Sequence, residues 1–264
     1  MDVDPAVSAA GFRHIAYDIV GSTNAEALAL ARAGDRGPVW ITARAQNAGR
    51  GRRERKWVSE PGNLYATLLL VDPAPSERAP QLSFVAALAV HDAVRETATV
   101  LGPRLSFKWP NDVLCDRAKI SGILVEGEGV KHALAVALGI GIDCAHHPGE
   151  TDYPATDLAA AGAAVTPQAV FRALSKAMLL RLTQWNRGAG FAAVRADWLE
   201  RAAGIGKDIR VRLADRELAG RFEGIDQAGH LMLRRGDGAM EMITSGDVFP
   251  IAAGPAPDSP AERR

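Results

Sequence analysis

The densest chemistry in the chain lies at residues 48–57, Ala-Gly-Arg-Gly-Arg-Arg-Glu-Arg-Lys-Trp. Arg50, Arg52, Arg53, Arg55 and Lys56 crowd around one glycine and one carboxylate, in a chain whose formal net charge is zero. Two guanidinium forks separated by a single glycine suit an oxyanion held by a loop. Gly51 lets the backbone approach closely, while Arg50 and Arg52 offer paired donors from either side. Taken alone, such a run is a solvated face or a weak nucleic-acid patch. No Walker loop and no G-x-G-x-x-G occurs, so a nucleotide would be held by another device.

Three further stretches carry functional side chains: Ser22-Thr23-Asn24, then Lys-Trp-Pro-Asn-Asp at 108–112, then Lys-Ile-Ser-Gly-Ile-Leu-Val-Glu at 119–126. Each also has a structural explanation. Thr23 and Glu26 read as a capping box opening a helix. Lys119 alone is a strand-edge lysine that discourages aggregation. Trp109 suits a core, and Asn111-Asp112 suits a turn.

Together the four stretches resemble the biotin protein ligases, over about residues 15–250. The resemblance implies a two-step reaction using ATP, Mg²⁺ and biotin. The biotin carboxylate attacks the α-phosphate to give biotinyl-AMP, and a lysine of a carrier domain then takes the biotinyl group. Both steps pass through anionic states, which call for fixed cations and amides. By resemblance, catalysis falls to Lys119, Arg50 and Arg52. Ser22, Thr23, Asn24 and Gln46 would read the ureido ring. Arg50, Gly51, Arg52 and Lys119 would hold the biotin carboxylate, and Gly122, Ile123 and Leu124 would lie under the bicycle and tail. The nucleotide would meet Arg50, Arg52, Trp57, Lys108, Asn111, Lys119 and Asp143, with Asp112 a candidate Mg²⁺ ligand. Glu54 stands where many members have glycine, and is expected to pair with Arg52 or Arg55. Asp143 stands where asparagine is usual, so it is expected either near the metal or turned away from the phosphates.

The implied partner is the biotin carboxyl-carrier domain of acetyl-CoA carboxylase or a related carboxylase. A lipoate ligase or octanoyl transferase of the same superfamily is the alternative. Those proteins carry a histidine in their glycine-rich loop, which Arg-Gly-Arg lacks. A first strand near Phe12 leaves no expected helix-turn-helix domain ahead of it, and equal numbers of basic and acidic residues (31 each) disfavour DNA binding. Pairing as a homodimer is left open.

The elements that must position these residues follow from pattern. Strands are expected at 12–20, 39–43, 64–71 and 105–109, with a hairpin of 113–115 and 119–126 around Asp116-Arg117. The apolar run 133–142 suits a strand buried on both faces. Helices are expected after Thr23, at 81–100, from Thr166-Pro167 to about 187, and at 191–203. Residues 146–155, with two prolines and a glycine, are expected to be a mobile loop. Past Gly204 the pattern turns to short alternating strands separated by glycines.

The expected fold is α+β: a central mixed β-sheet flanked by helices, followed by a small SH3-like β-barrel, an assignment the resemblance supplies. The divisions are a flexible N-terminus (1–11), a catalytic domain (12–203), the small domain (204–252) and a disordered tail (253–264). Cys115 and Cys144 fit neither a zinc motif nor a disulfide framework. With no membrane-length apolar run and no secretory signal, a cytoplasmic protein is expected.

Overall fold

The computed structural model describes residues 1–251. A seven-stranded sheet runs β1-β2-β3-β7-β6-β5-β4. Its strands are β1 (Arg13–Val20), β2 (Val39–Gln46), β3 (Leu64–Val71), β4 (Leu105–Lys108), β5 (Asp112–Cys115), β6 (Ala118–Val130) and β7 (Ala133–Ile142). Only β1 and β2 pair in parallel, joined by the crossover helix α2 (Thr23–Arg32). The apolar run 133–142 lies in the middle of the sheet, between β3 and β6, where both faces are covered.

One face packs against the long helices α3 (Leu82–Thr97) and α4 (Pro167–Trp185), with α5 (Phe191–Leu199) beside them. Trp40, Leu68, Val136, Leu138 and Ile140 point into this core. The other face is thinner. There α2 covers Val39, Ile41, Leu69, Ala135 and Ala137 with Ala27 and Ala31. Beyond the N-terminus of α2 this second face is left to loops, and that gap becomes the site.

The C-terminal strands β8 (Asp208–Arg212), β9 (Glu217–Ile225), β10 (Leu231–Arg234), β11 (Met240–Ile243) and β12 (Asp247–Pro250) form a separate antiparallel sheet, ordered β11-β10-β9-β8-β12. It is an open sheet rather than a closed barrel. Its apolar residues Ile209, Val211, Phe222 and Leu231 are continuous with the main core. Trp109 Nε1 donates to the Gly229 carbonyl at 2.9 Å, and Arg195 Nε to that of Ile225 at 2.7 Å, tying the two sheets together.

Two local expectations are corrected. The N-terminal residues 1–11, expected to be flexible, contain helix α1 (Pro5–Ala9). Val7 is fully buried, and Asp4 N–H donates to Ser175 Oγ on α4. The expected capping box is not formed. The N-cap of α2 is Ser22, without a side-chain cap bond, and Thr23 N–H donates to Gln46 instead. The tail 253–264 lies outside the described residues. Among the described residues, no helix is long and apolar enough to cross a membrane.

Candidate functional site

The thin face of the sheet carries a patch of glycines at its centre. Register places Gly141 opposite both Tyr65 and Gly122, and Gly139 opposite both Thr67 and Leu124. A Cβ at Gly141 would sit 2.7 Å from the Trp57 indole, and one at Gly122 would sit 2.9 Å from it. A Cβ at Gly139 would collide with Asn24 Oδ1. Side-chain-free strands therefore let a tryptophan and a helix start come down onto the sheet, which no larger residue would permit. Around them lies a cavity of about 660 Å³. A volume of that order suits a drug-sized or cofactor-sized ligand.

One end of the cavity is polar and buried. Ser22, Thr23 and Asn24, at the start of α2, are nearly inaccessible. Thr23 N–H donates to Gln46 Oε1 at 2.8 Å, and Gln46 Nε2 donates to Ser59 Oγ at 2.9 Å. A helix N-terminus with hydroxyl and amide neighbours offers both donors and acceptors. Gly122 and Leu124 line the floor as expected. Ile123 borders the cavity, but its side chain belongs to the main core.

Midway sits a lysine–aspartate–lysine cluster. Asp112 is buried between Lys108, whose Nζ is 2.9 Å from Oδ2, and Lys119, whose Nζ is 2.6 Å from Oδ1. The Lys119 contact is a close ion pair outside hydrogen-bond geometry. Burial would push the Asp112 carboxyl up, but the charges of Lys119 and Lys108 outweigh it and hold the group well below the usual range. Lys119 shares the cavity face with Gly122 because of a β-bulge. Val113 pairs with Ser121 and Leu114 with Lys119, leaving Ile120 as the extra residue. Strict alternation would have put Lys119 and Gly122 on opposite faces. Its ammonium also stands 5.2 Å from the centre of the Trp57 ring, over the same floor.

Asp112 does not fit the expected metal role, since its negative charge is already neutralised by two ammonium groups. Among the described residues, no group of three or more His, Cys, Asp or Glu side chains could hold a metal ion.

The arginine loop closes the other side. Gly51 N–H donates to the Arg55 carbonyl at 2.7 Å, bending the chain back on itself. Arg53 and Glu54 both adopt left-handed backbone, with φ of 56° and 58°. Each such non-glycine residue costs about 1–3 kcal/mol, so a glycine at position 54 would relax the loop. Glu54 does not pair with Arg52 or Arg55. It is mostly exposed, and the basic group it approaches is Arg50, at 4.0 Å.

The two expected oxyanion ligands are parted. Arg50 turns toward Glu126 on β6, with 3.2 Å between Nη2 and Oε1. Arg52 turns to the small domain, donating to the Gly246 carbonyl at 3.1 Å and to Ser245 Oγ at 3.2 Å, and lies 3.7 Å from Asp247. Burial pulls the Arg52 guanidinium below its ordinary value, against the opposing pull of Asp247 and Asp112. Asp247 also receives Arg53 and Arg55, both at 3.1 Å. One buried carboxylate at the start of β12 thus collects three guanidinium groups of the loop.

The segment 143–155 completes the enclosure. Lys119 N–H donates to the Pro154 carbonyl at 2.7 Å, and Thr156 N–H returns to the Lys119 carbonyl at 2.9 Å. Tyr153 lays its ring 4.5 Å from the Lys108 ammonium, and Asp152 pairs with Arg212 of β8 at 3.2 Å. Asp143 lines the cavity from the end of β7, its Oδ1 accepting from Asn63 Nδ2 at 3.1 Å. Burial pushes its carboxyl up to about 7, with Lys119 opposing and Asp157 adding to the rise. Two carboxylates on one cavity are thereby driven in opposite directions.

A raised folded pKa has a definite sign. As pH climbs from the unfolded value of 3.8 toward 7, the unfolded chain loses the Asp143 proton while the folded chain keeps it, and stability falls. Asp143→Asn should remove that loss. The variant should gain on the parent by about 2–4 kcal/mol above pH 7, and the advantage should vanish near pH 4. Urea unfolding at pH 4.5 and 8 measures this; a difference that does not change with pH would contradict the assignment.

Sequence reasoning missed Asp247, Ser245, Phe249, Tyr153 and Asn63, all of which line or brace the cavity. The first four carry no local signal, because each meets the site through folding partners far away in the chain. Asn63 has a hint, a polar residue just ahead of a largely apolar strand.

Comparison with known proteins places this geometry. Residues 23–143 match the model of the biotin/lipoate A/B protein ligase family, and residues 204–249 match the biotin protein ligase C terminal domain. The chain is 43% identical to a biotin--[acetyl-CoA-carboxylase] ligase of Paracoccus denitrificans, across 86% of this chain and 96% of that protein. It is 32% identical to the bifunctional ligase/repressor BirA of Bacillus subtilis, across 89% of this chain and 74% of that one. Its fold is similar to a biotin protein ligase from Aquifex aeolicus in complex with biotin and ATP, with a TM-score of 0.74 at 27% identity, covering 90% and 97% of the two chains.

Proposed function

The chain belongs to the biotin protein ligase family, and we propose how its side chains divide the work of an ATP-dependent biotin ligation. In the first half-reaction a biotin carboxylate oxygen bonds to the α-phosphorus of ATP and pyrophosphate departs. In the second, a carrier lysine amine bonds to the acyl carbon, the C–O bond to phosphate breaks, AMP leaves and the amine gives up a proton. The expected carrier is the biotin domain of a carboxylase. The ATP requirement supports a cytoplasmic setting.

The ureido ring occupies the buried polar end, against Ser22, Thr23, Asn24 and Gln46, with Gly122, Leu124, Gly139 and Gly141 as floor. This directs the carboxylate along the sheet toward Lys119. Lys119 is the charge that meets both reactants, set on a strand and aimed by the bulge and by Asp112. Arg50, still held by Glu126, turns its other N–H groups to ligand oxygens, and Arg52 leaves the Asp247 cluster to join it, which closes the loop and keeps water from the anhydride. Trp57 covers the acyl end. Lys108, Asn111 and Asp143 border the nucleotide side. Mg²⁺ arriving with ATP would draw its oxygen ligands chiefly from phosphate and water, as this ion commonly does, because Asp112 is engaged by its lysines.

The observation that carries this reading is the meeting of Lys119, the arginine loop and the glycine floor in one cavity beside a helix N-terminus. Pyrophosphate release from ATP tests it. Release should require biotin and should not be supported by lipoate or octanoate; release with lipoate in place of biotin would move the chain to the alternative substrate class.

A further inference from the structure

Glu126 is bonded at both ends and yet does not line the cavity. It projects from β6 opposite Ala137, on the same face of the sheet as Leu124 and Gly122. Its Oε2 accepts from Asn24 Nδ2 at 2.7 Å, and its Oε1 accepts from Arg50 Nη2 at 3.2 Å. A carboxylate can only accept. It therefore forces the Asn24 amide to turn its NH₂ outward and its oxygen inward, toward Thr67.

Thr67 Oγ lies 2.6 Å from Asn24 Oδ1 and 2.7 Å from Thr23 Oγ. A hydroxyl has one proton, so Thr67 donates to Asn24 and accepts from Thr23. The Thr23 proton goes to Thr67 rather than to Gln46 Oε1, which is farther away at 3.1 Å and already bonded by Thr23 N–H. All three of these side chains are buried. The direction of every bond in the chain Thr23, Thr67, Asn24 thus follows from the charge on Glu126. The same carboxylate holds Arg50, the first arginine of the arginine loop. Its side chain and that of Arg50 are 25% and 38% exposed, so the pair itself contributes little stability. A guanidinium carries five N–H donors, so Arg50 can keep this contact while it turns others to a ligand.

We propose that Glu126 is a positioning residue that couples biotin recognition to order in the arginine loop: it sets the hydrogen-bond polarity of the Thr23–Thr67–Asn24 chain and presents Arg50 beside it. The proposal rests on the ligase reading above. Occupancy of the ureido end stiffens Asn24, Asn24 fixes Glu126, and Glu126 keeps Arg50 within reach of the carboxylate that has just been delivered.

Two substitutions separate the halves of this role. Glu126→Gln keeps an acceptor oxygen for Asn24 but turns an uncharged amide toward Arg50. Biotin affinity should stay within about twofold of the parent, while biotinyl-AMP should escape or hydrolyse about fivefold faster, the scale of one partly exposed charge pair. Glu126→Ala removes both bonds and should in addition weaken biotin binding by about tenfold, the scale of a lost hydrogen bond to a charged group. Biotin affinity is read by calorimetry without ATP, adenylate loss by chasing radiolabelled biotinyl-AMP, and thermal unfolding should move by no more than about 2 °C. Unchanged adenylate retention in Glu126→Gln would overturn the proposal, as would equal losses of biotin affinity in both variants. If the parent chain itself failed to retain labelled biotinyl-AMP, the ligase reading would fall first, independently of Glu126.

Discussion

Replacing Lys119 by alanine should slow adenylate formation by about 10²–10³-fold, with a much smaller loss of biotin affinity. The reason is positional. Lys119 Nζ projects over the glycine floor, at the point where the proposed arrangement brings carboxylate and α-phosphate together. There it opposes negative charge that grows only as the new O–P bond forms. Interactions that strengthen in the transition state lower kcat more than they weaken ground-state binding. The ureido contacts come from other elements, α2 and β2, and should survive. Single-turnover formation of biotinyl-AMP, beside calorimetric biotin binding, reads the two quantities separately. A variant within about fivefold of the parent in adenylation would remove Lys119 from the centre of the reaction.

Asp112→Asn should be the most destabilising single change at the site, by about 3–5 kcal/mol, because it strands two ammonium groups that now share one buried carboxylate. The Lys108 and Lys119 side chains are only 12% and 24% exposed, so water cannot readily replace the lost charge. The pH dependence has the opposite sign to that of Asp143. The folded Asp112 pKa is depressed, so its contribution is full above the unfolded value of 3.8 and declines as pH falls below it toward the folded value. The gap between parent and variant should therefore be complete at pH 7 and begin to narrow below about pH 4. Denaturant unfolding at pH 7 and pH 3 measures both ends. A gap under 1 kcal/mol at pH 7 would mean that the cluster relaxes without its carboxylate.

Much of the frame was legible because local pattern and tertiary role agree. The run at 133–142 is apolar throughout since it lies at the centre of the sheet, and its bounds coincide with β7. The hairpin at Asp116-Arg117 announced itself by polar turn residues, both of which take positive φ. The arginine loop and Lys119 were recognisable as motifs, and the cavity brings them together. Other features depend on partners that pattern cannot name. Thr23 has the spacing of a capping residue, but Gln46, at the end of a neighbouring strand, takes its N–H. Asp112 has the chemistry of a metal ligand, but two lysines surround it once β4, β5 and β6 align. The role of Asp247 is invisible until a sheet almost two hundred residues further on folds against the loop. Residues 1–11 lack a strong local signal, yet Val7 is drawn into the core beside α4.

Asp143 and Glu54 show how departures from a family pattern are absorbed. The extra carboxylate at 143 is bonded by Asn63 and pushed up to about 7 by burial, so near neutral pH it carries only part of its formal charge and adds less repulsion toward phosphates. Glu54 extends into solvent, and the loop bears the strain of its left-handed backbone without an ion pair to Arg52 or Arg55 in return.

The central claim is that this cavity activates biotin and passes it to a carrier lysine. The intact mass of a biotin-carrier domain, incubated with the protein, ATP, Mg²⁺ and an equal mixture of biotin and lipoate, tests it most directly. A single biotinyl addition, lost when the carrier lysine is replaced, is the expected result. A lipoyl addition, or an unmodified carrier in the presence of all substrates, would contradict it.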